Sequence, residues 1–168
     1  MIEVHSDHTQ SIVVKATPDE AYERLSDVPW SVAHFPDLQD LQPGKGDNAY
    51  TWFFKPIGAF GVSVQIKYTN HYTCDPERRS IEWVSRGEGE TAGADGSWTI
   101  EPAGDGTKIT LKNVFHAQLP APRLMRRPVE AFVASQNGQM IDKYLANIQR
   151  SFAGEDGRVN RWSAFPAE

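Results

Sequence analysis

The chain holds one cysteine, Cys74, so no disulfide can close within it. A reducing compartment, the cytoplasm, is the expected location. No stretch approaches the roughly 18 consecutive apolar residues that mark a membrane-spanning helix. The opening MIEVHSDHTQ lacks a basic region followed by an apolar run, so no secretory signal is expected. The metal-ligand patterns HxxxH, CxxC and HExxH are missing, and no two-His, one-carboxylate set is apparent. No metal and no cofactor are therefore expected. The glycines at 87, 89, 93 and 96 are followed by neither a lysine–serine pair nor a GxGxxG helix start, which argues against a phosphate loop. Positive charge is in short supply: 17 Lys and Arg against 22 Asp and Glu give a net charge of −5. That balance disfavours nucleic acid as a partner.

What remains fits one domain of 168 residues, with 39% apolar residues to build a core. Residues 1–152 read as the domain, and residues 153–168 as a polar C-terminal tail. Trp162 and Phe165 offer that tail weak docking points, and disorder is an equal expectation at such a terminus.

Residues 11–16 (SIVVKA) read as a strand, extended toward Val4. Thr17, Pro18 and Glu20 then supply a cap, a first-turn proline and a capping box for a short helix. Pro29 interrupts it and opens a second short helix over residues 29–34. From residue 38 to 117 the apolar period becomes two. Strands are expected over residues 38–42, 49–55, 62–72, 80–86, around Gly96–Ile100, and over 107–117. Turn-rich pieces separate them, which implies an antiparallel meander. Residues 128–152 then read as one amphipathic helix, about 37 Å long at 1.5 Å per residue.

A twisted sheet of seven strands can curl around such a helix, and each covers the apolar face of the other. The interior so formed is either solid or hollow. Its candidates are Trp52, Phe54, Tyr68, Tyr72, Trp83, Trp98, Phe132, Met140 and Tyr144. Tyr and Trp need a hydrogen-bond partner when buried. Gln136 lies four residues from both Phe132 and Met140, which puts an amide on the inner face of the helix. Asn113 shares parity with Ile109 and Leu111 and places a second polar group inside. A hollow with water or a ligand would satisfy such groups; a tyrosine hydroxyl in a solid core would do the same. His71 falls on the outward parity, and His34 and His116 form no triad with anything nearby.

The order of elements resembles the helix-grip fold of the START-like superfamily, also called SRPBCC or the polyketide cyclase/dehydrase and lipid-transport group. The resemblance is carried by the opening ATPDEAY (residues 16–22) with Leu25, Asp27, Trp30 and Ser31, and by GTKIT (residues 106–110) leading to the long helix. It spans about residues 3–152. It implies an α+β fold: a seven-stranded curved antiparallel sheet around a long C-terminal helix, with two short helices after the first strand. It also implies a deep apolar cavity that binds a lipid, sterol, quinone or polyketide-like molecule. The cavity mouth would lie at residues 55–61, 87–92 and 118–125, with Ile57, Phe60, Arg123 and Arg126 at its rim. The arginine cluster, which includes Arg127, opposes the helix dipole and suits an anionic headgroup or transient contact with a membrane surface.

Three functions stay open. The first is binding of a small hydrophobic molecule. The second is an enzyme of the cyclase, aromatase or dehydratase type, which can act by shaping a reactive substrate without a nucleophile. The third is a protein-interaction module. The chain is expected as a monomer or a homodimer.

Overall fold

A computed structural model of the protein describes residues 1–59, 61–85, 87 and 89–166. Phe60, expected at the cavity rim, lies outside the described residues.

The first strand, β1 (Ile2–Val14), reaches Val4 as expected and begins two residues before it. Ile2, Val4 and Ser6 alternate inward with exposed Glu3, His5 and Asp7. Helix α1 (Pro18–Ser26) starts with the full capping box. Thr17 Oγ1 accepts from the Glu20 amide at 3.2 Å, and Glu20 returns a carboxylate to the Thr17 amide at 3.0 Å. Asp27 closes α1 and caps α2 (Val28–Val32) through the Trp30 amide.

The meander follows: β2 (Leu38–Pro43), β3 (Ala49–Phe54), β4 (Ile57–Ala59), β5 (Val62–Val64), β6 (Lys67–Asp75), β7 (Ser80–Ser85), β8 (Ala92–Ala103) and β9 (Gly106–Leu119). The main sheet runs β1-β9-β8-β7-β6-β3-β2, with every neighbouring pair antiparallel. The strand expected over residues 62–72 is broken. Residues Val62–Val64 pair with Ile57–Ala59 in a separate two-stranded ribbon, and the main-sheet strand resumes at Lys67.

A 3₁₀ turn (Arg123–Met125) leads into α3 (Arg126–Phe152), 27 residues and therefore about 40 Å long. Its end is a Schellman cap. Gly154 adopts φ +95°, its amide donates to the Ser151 carbonyl, and the Glu155 amide donates to the Arg150 carbonyl. Midway, Gly138 lets β1 approach closely: a Cβ there would sit 3.2 Å from the His8 ring.

Sheet and helix enclose two adjoining apolar clusters. One gathers Trp52, Phe54, Tyr68, Phe115 and Val129; the other gathers Ile81, Trp98, Ile109, Ile141, Leu145 and Ile148. The fold is thus the α+β helix grip expected from the sequence. The segment after α3 returns over α2. Trp162 is buried in the first cluster, and its indole N–H donates to the Pro29 carbonyl at 3.1 Å. The Asn160 amide side chain donates to the Phe35 carbonyl at 2.7 Å, and the Phe165 ring lies 5.5 Å from that of Tyr50. Among the described residues no helix is long and apolar enough to cross a membrane.

Candidate ligand-binding cleft

Two hollows lie end to end between the concave sheet and α3. The upper one measures about 70 Å³. It is walled by Phe54, Ile57, Val64, Ile66 and Tyr68 from the meander, by Asn113, Phe115, Ala117 and Leu119 from β9, and by Val129, Phe132, Val133, Gln136, Asn137, Met140 and Ile141 from α3. The lower one measures about 40 Å³ and is walled by Trp52, Asn70, Tyr72, Trp83, Trp98, Leu111 and Tyr144, with Ser31 and Val32 from α2 closing its end. Phe35, Tyr68, Asn113 and Ile141 border both hollows and form the partition between them.

The upper hollow opens outward. Counted with the solvent at its mouth, its unfilled space reaches about 890 Å³. A cavity of about 150 Å³ is enough to hold benzene. The enclosed part therefore admits water as it stands, and a ring-sized guest requires its walls to part.

Every interior residue expected from the sequence borders one of the two hollows. Phe54, Phe132, Gln136 and Met140 border the upper one; Trp52, Tyr72, Trp83, Trp98 and Tyr144 the lower one; Tyr68 and Asn113 both. Of the expected rim, Ile57 borders the upper hollow, whereas Arg123 and Arg126 do not. Arg126 instead pairs with Glu130 one turn on, at 3.8 Å. Near the helix start the wall is formed by the buried Ala121 and Val129. Phe35, Asn70, Phe115 and Asn137 line the hollows as well, although none was expected in the site from the sequence. Asn70 was legible: it shares parity with Tyr68 and Tyr72. Asn137 stands next to Gln136, and a wide inner face takes in both. Phe35 gave no signal, since it sits in the irregular link between α2 and β2.

The polar groups of the lower hollow are mostly paired. The Ser31 and Tyr144 hydroxyls lie 2.6 Å apart. The Ser85 hydroxyl donates to Asn70 Oδ1 at 2.7 Å. Trp52 Nε1 and Asn70 Nδ2 make no close hydrogen bond but both approach the Tyr72 hydroxyl, whereas Asn137 Nδ2 in the upper hollow is buried without a partner among the described residues. An orphaned buried donor costs about 1–3 kcal/mol. Burial raises the phenol pKa values of Tyr68, Tyr72 and Tyr144 above their ordinary value, so all three are neutral hydroxyls at physiological pH.

Among the described residues no Asp, Glu, Lys, Arg or His borders either hollow. His34 is fully buried but faces away, bonded through Nε2 to Ser151 Oγ at 2.7 Å. The described residues hold no cluster of His, Cys, Asp or Glu suited to a metal ion. The arrangement can enclose an apolar body, exclude water from it and offer neutral hydrogen bonds. It presents no nucleophile beside a base.

Comparison with known proteins agrees with this geometry. Among solved structures, an aromatase/cyclase, Zhui, from Streptomyces sp. R1128 is 22% identical, with a TM-score of 0.59 over 92% of this chain and 99% of that one. A protein from Deinococcus radiodurans is 15% identical, with a TM-score of 0.62 over 89% and 98% of the two chains. A START superfamily protein from Mycobacterium smegmatis is 15% identical, with a TM-score of 0.58 over 86% and 97%. At such identities the likeness is one of fold. No curated protein matches the chain. The family described as polyketide cyclase / dehydrase and lipid transport matches residues 6–153, nearly the whole sheet and helix, and the chain belongs to that family.

Proposed function

We propose that the protein binds a small, flat, largely apolar molecule between its sheet and α3. The observation that carries this reading is the lining: aromatic and aliphatic side chains, a few neutral amides and hydroxyls, and no charge among the described residues. Apolar walls with a few placed polar groups are the usual make-up of small-molecule sites. A purely structural core would have filled the gap, because voids in close-packed interiors cost stability. The family accommodates lipids and polyketides, which fits the same chemistry.

Native mass spectrometry of the gently purified protein, followed by solvent extraction, tests the reading. A co-purifying lipophile, or saturable quenching of the tryptophan fluorescence by added flat hydrophobes, is expected. Absence of both would refute it.

A second feature concerns delivery. Leu124 is 93% exposed beside the rim, flanked by Arg123, Arg126 and Arg127. An exposed leucine among arginines suits brief contact with an anionic bilayer. Co-sedimentation with vesicles containing phosphatidylserine should fall when Leu124 is replaced by Ser; unchanged sedimentation would remove this role. The cytoplasm is the compartment this reading favours, given the single cysteine.

A further inference from the structure

The upper hollow concentrates carboxamides. Asn113 on β9 faces Gln136 and Asn137 on α3 across it, in a wall otherwise built of aromatic and aliphatic side chains with the Tyr68 phenol. Two adjacent amides on the inner face of a helix are not what a packed core selects, since each must find partners or incur a penalty. Asn137 Nδ2 is wholly buried and has no partner among the described residues. The donors of the lower hollow are weaker evidence, because Trp52 Nε1 and Asn70 Nδ2 both approach the Tyr72 hydroxyl. Turning the Asn70 amide over would also let it donate to Ser85 Oγ, whose own proton can go to the Ala94 carbonyl at 3.1 Å.

The charge around the hollow decides the ligand's chemistry. A fatty-acid or other carboxylate head would enter a low-dielectric space with no Lys, Arg or His on its wall among the described residues, and with the Glu90 carboxylate acting on the Tyr68 phenol. An unpaired ion is costly there. A pure hydrocarbon would leave Asn137 orphaned. We infer that the occupant is uncharged and carries an acceptor oxygen, a ketone-type carbonyl or an equivalent hydroxyl, received by Asn137 with Gln136 and Asn113 beside it. The inference rests on the reading of the cleft as a ligand site.

Three near-isosteric one-ring probes test it: acetophenone, isopropylbenzene and benzoate. Each is titrated by calorimetry or by ligand-observed NMR against the full chain and against Asn137→Leu. The informative quantity is the ratio of acetophenone to isopropylbenzene affinity within one protein, because apolar burial cancels in it. That ratio is expected to fall about tenfold in Asn137→Leu, the equivalent of about 1.4 kcal/mol. Benzoate should bind the wild type at least tenfold more weakly than acetophenone. Gln136→Leu and Asn113→Leu, each checked for native circular dichroism, should lower the ratio in the same direction and serve if Asn137→Leu does not fold. A ratio unchanged in all folded variants, or benzoate binding as tightly as acetophenone, would overturn the inference while leaving the cleft a hydrophobe site. Failure of every probe to bind the wild type would overturn both.

Discussion

His34 gives the domain a calculable sensitivity to acid. Its side chain is fully buried between α2 and the end of α3. Nδ1 lies 2.9 Å from the Trp30 carbonyl and 3.2 Å from the Ser31 carbonyl. Carbonyls only accept, so Nδ1 carries the proton and Nε2 accepts from the Ser151 hydroxyl at 2.7 Å. Ser151 Oγ in turn accepts from the Gly157 amide at 2.9 Å, tying the returning tail to the same network. Burial is the largest influence on the imidazole and lowers its pKa below the ordinary 6.5; the two carbonyls and Asp156 oppose the shift, and Arg158 adds to it. On acidification the unfolded chain therefore takes up the proton first. Stability is complete above the unfolded pKa and is lost as pH falls below it. Between pH 8 and 5.5 protonation of the unfolded imidazole sets an upper limit of about 1.4 kcal/mol on the loss. For a chain of this size that limit corresponds to a fall in Tm of about 3–6 °C. The assay is thermal unfolding of the wild type and of His34→Gln at both pH values, with the His34 ring resonances followed by NMR. The variant should lose this part of the slope. An identical pH dependence in the two proteins, or a His34 resonance titrating at or above its ordinary value in the folded state, would refute the reasoning.

Trp162→Ala removes a buried indole and its bond to the Pro29 carbonyl. Losses of about 3–5 kcal/mol accompany such truncations, and limited proteolysis should then cut the chain after α3 well before the wild type is cut. Ala117 is buried on β9 and borders the upper hollow. Ala117→Val should fill part of that space, raising Tm by a few degrees at about 0.8 kcal/mol per buried methylene while weakening acetophenone binding. Differential scanning calorimetry and the probe titration check the two halves, and a lowered Tm with binding intact would count against a usable void.

The fold was legible because its signals are local and agree with one another. The capping box at Thr17 and Glu20, the alternation through β3 and β6, and the apolar stripe of α3 on either side of its central amides each rest on neighbouring residues. Two features were not local. The strand toward Val4 was expected, but how far β1 runs at each end is set by its pairing with β9, from Ile2 opposite Leu119 to Val14 opposite Thr107. The break before β6 depends on the ribbon partner of residues 62–64, which periodicity alone does not reveal. The interior residues were read from parity and helix spacing, which report the face a side chain takes. Neither reports the distance to the opposite wall. Arg123 and Arg126 were expected at the mouth from the resemblance; the lining near the helix start is Ala121 and Val129.

That difference between face and distance explains why the aromatic residues could not decide between a solid and a hollow interior. Trp83, Trp98 and Tyr144 belong to the packed cluster and also border the lower hollow. A large ring fills space on one side and bounds it on the other. The residues that create the void are the small ones. Gly96 lies under the Trp83 ring, where a Cβ would come within 2.5 Å of it, so the indole packs down onto the sheet. Ala94 borders the lower hollow, and Ala117 and Ala121 the upper one, at buried positions where a leucine would close the gap to α3. Apolar burial favours filling such gaps, at about 25 cal/mol for each Å² removed from water. Alanines on the sheet side opposite amides on the helix side forgo that gain on both walls at once. A binding cleft accounts for both choices together, whereas a core selected for stability alone accounts for neither.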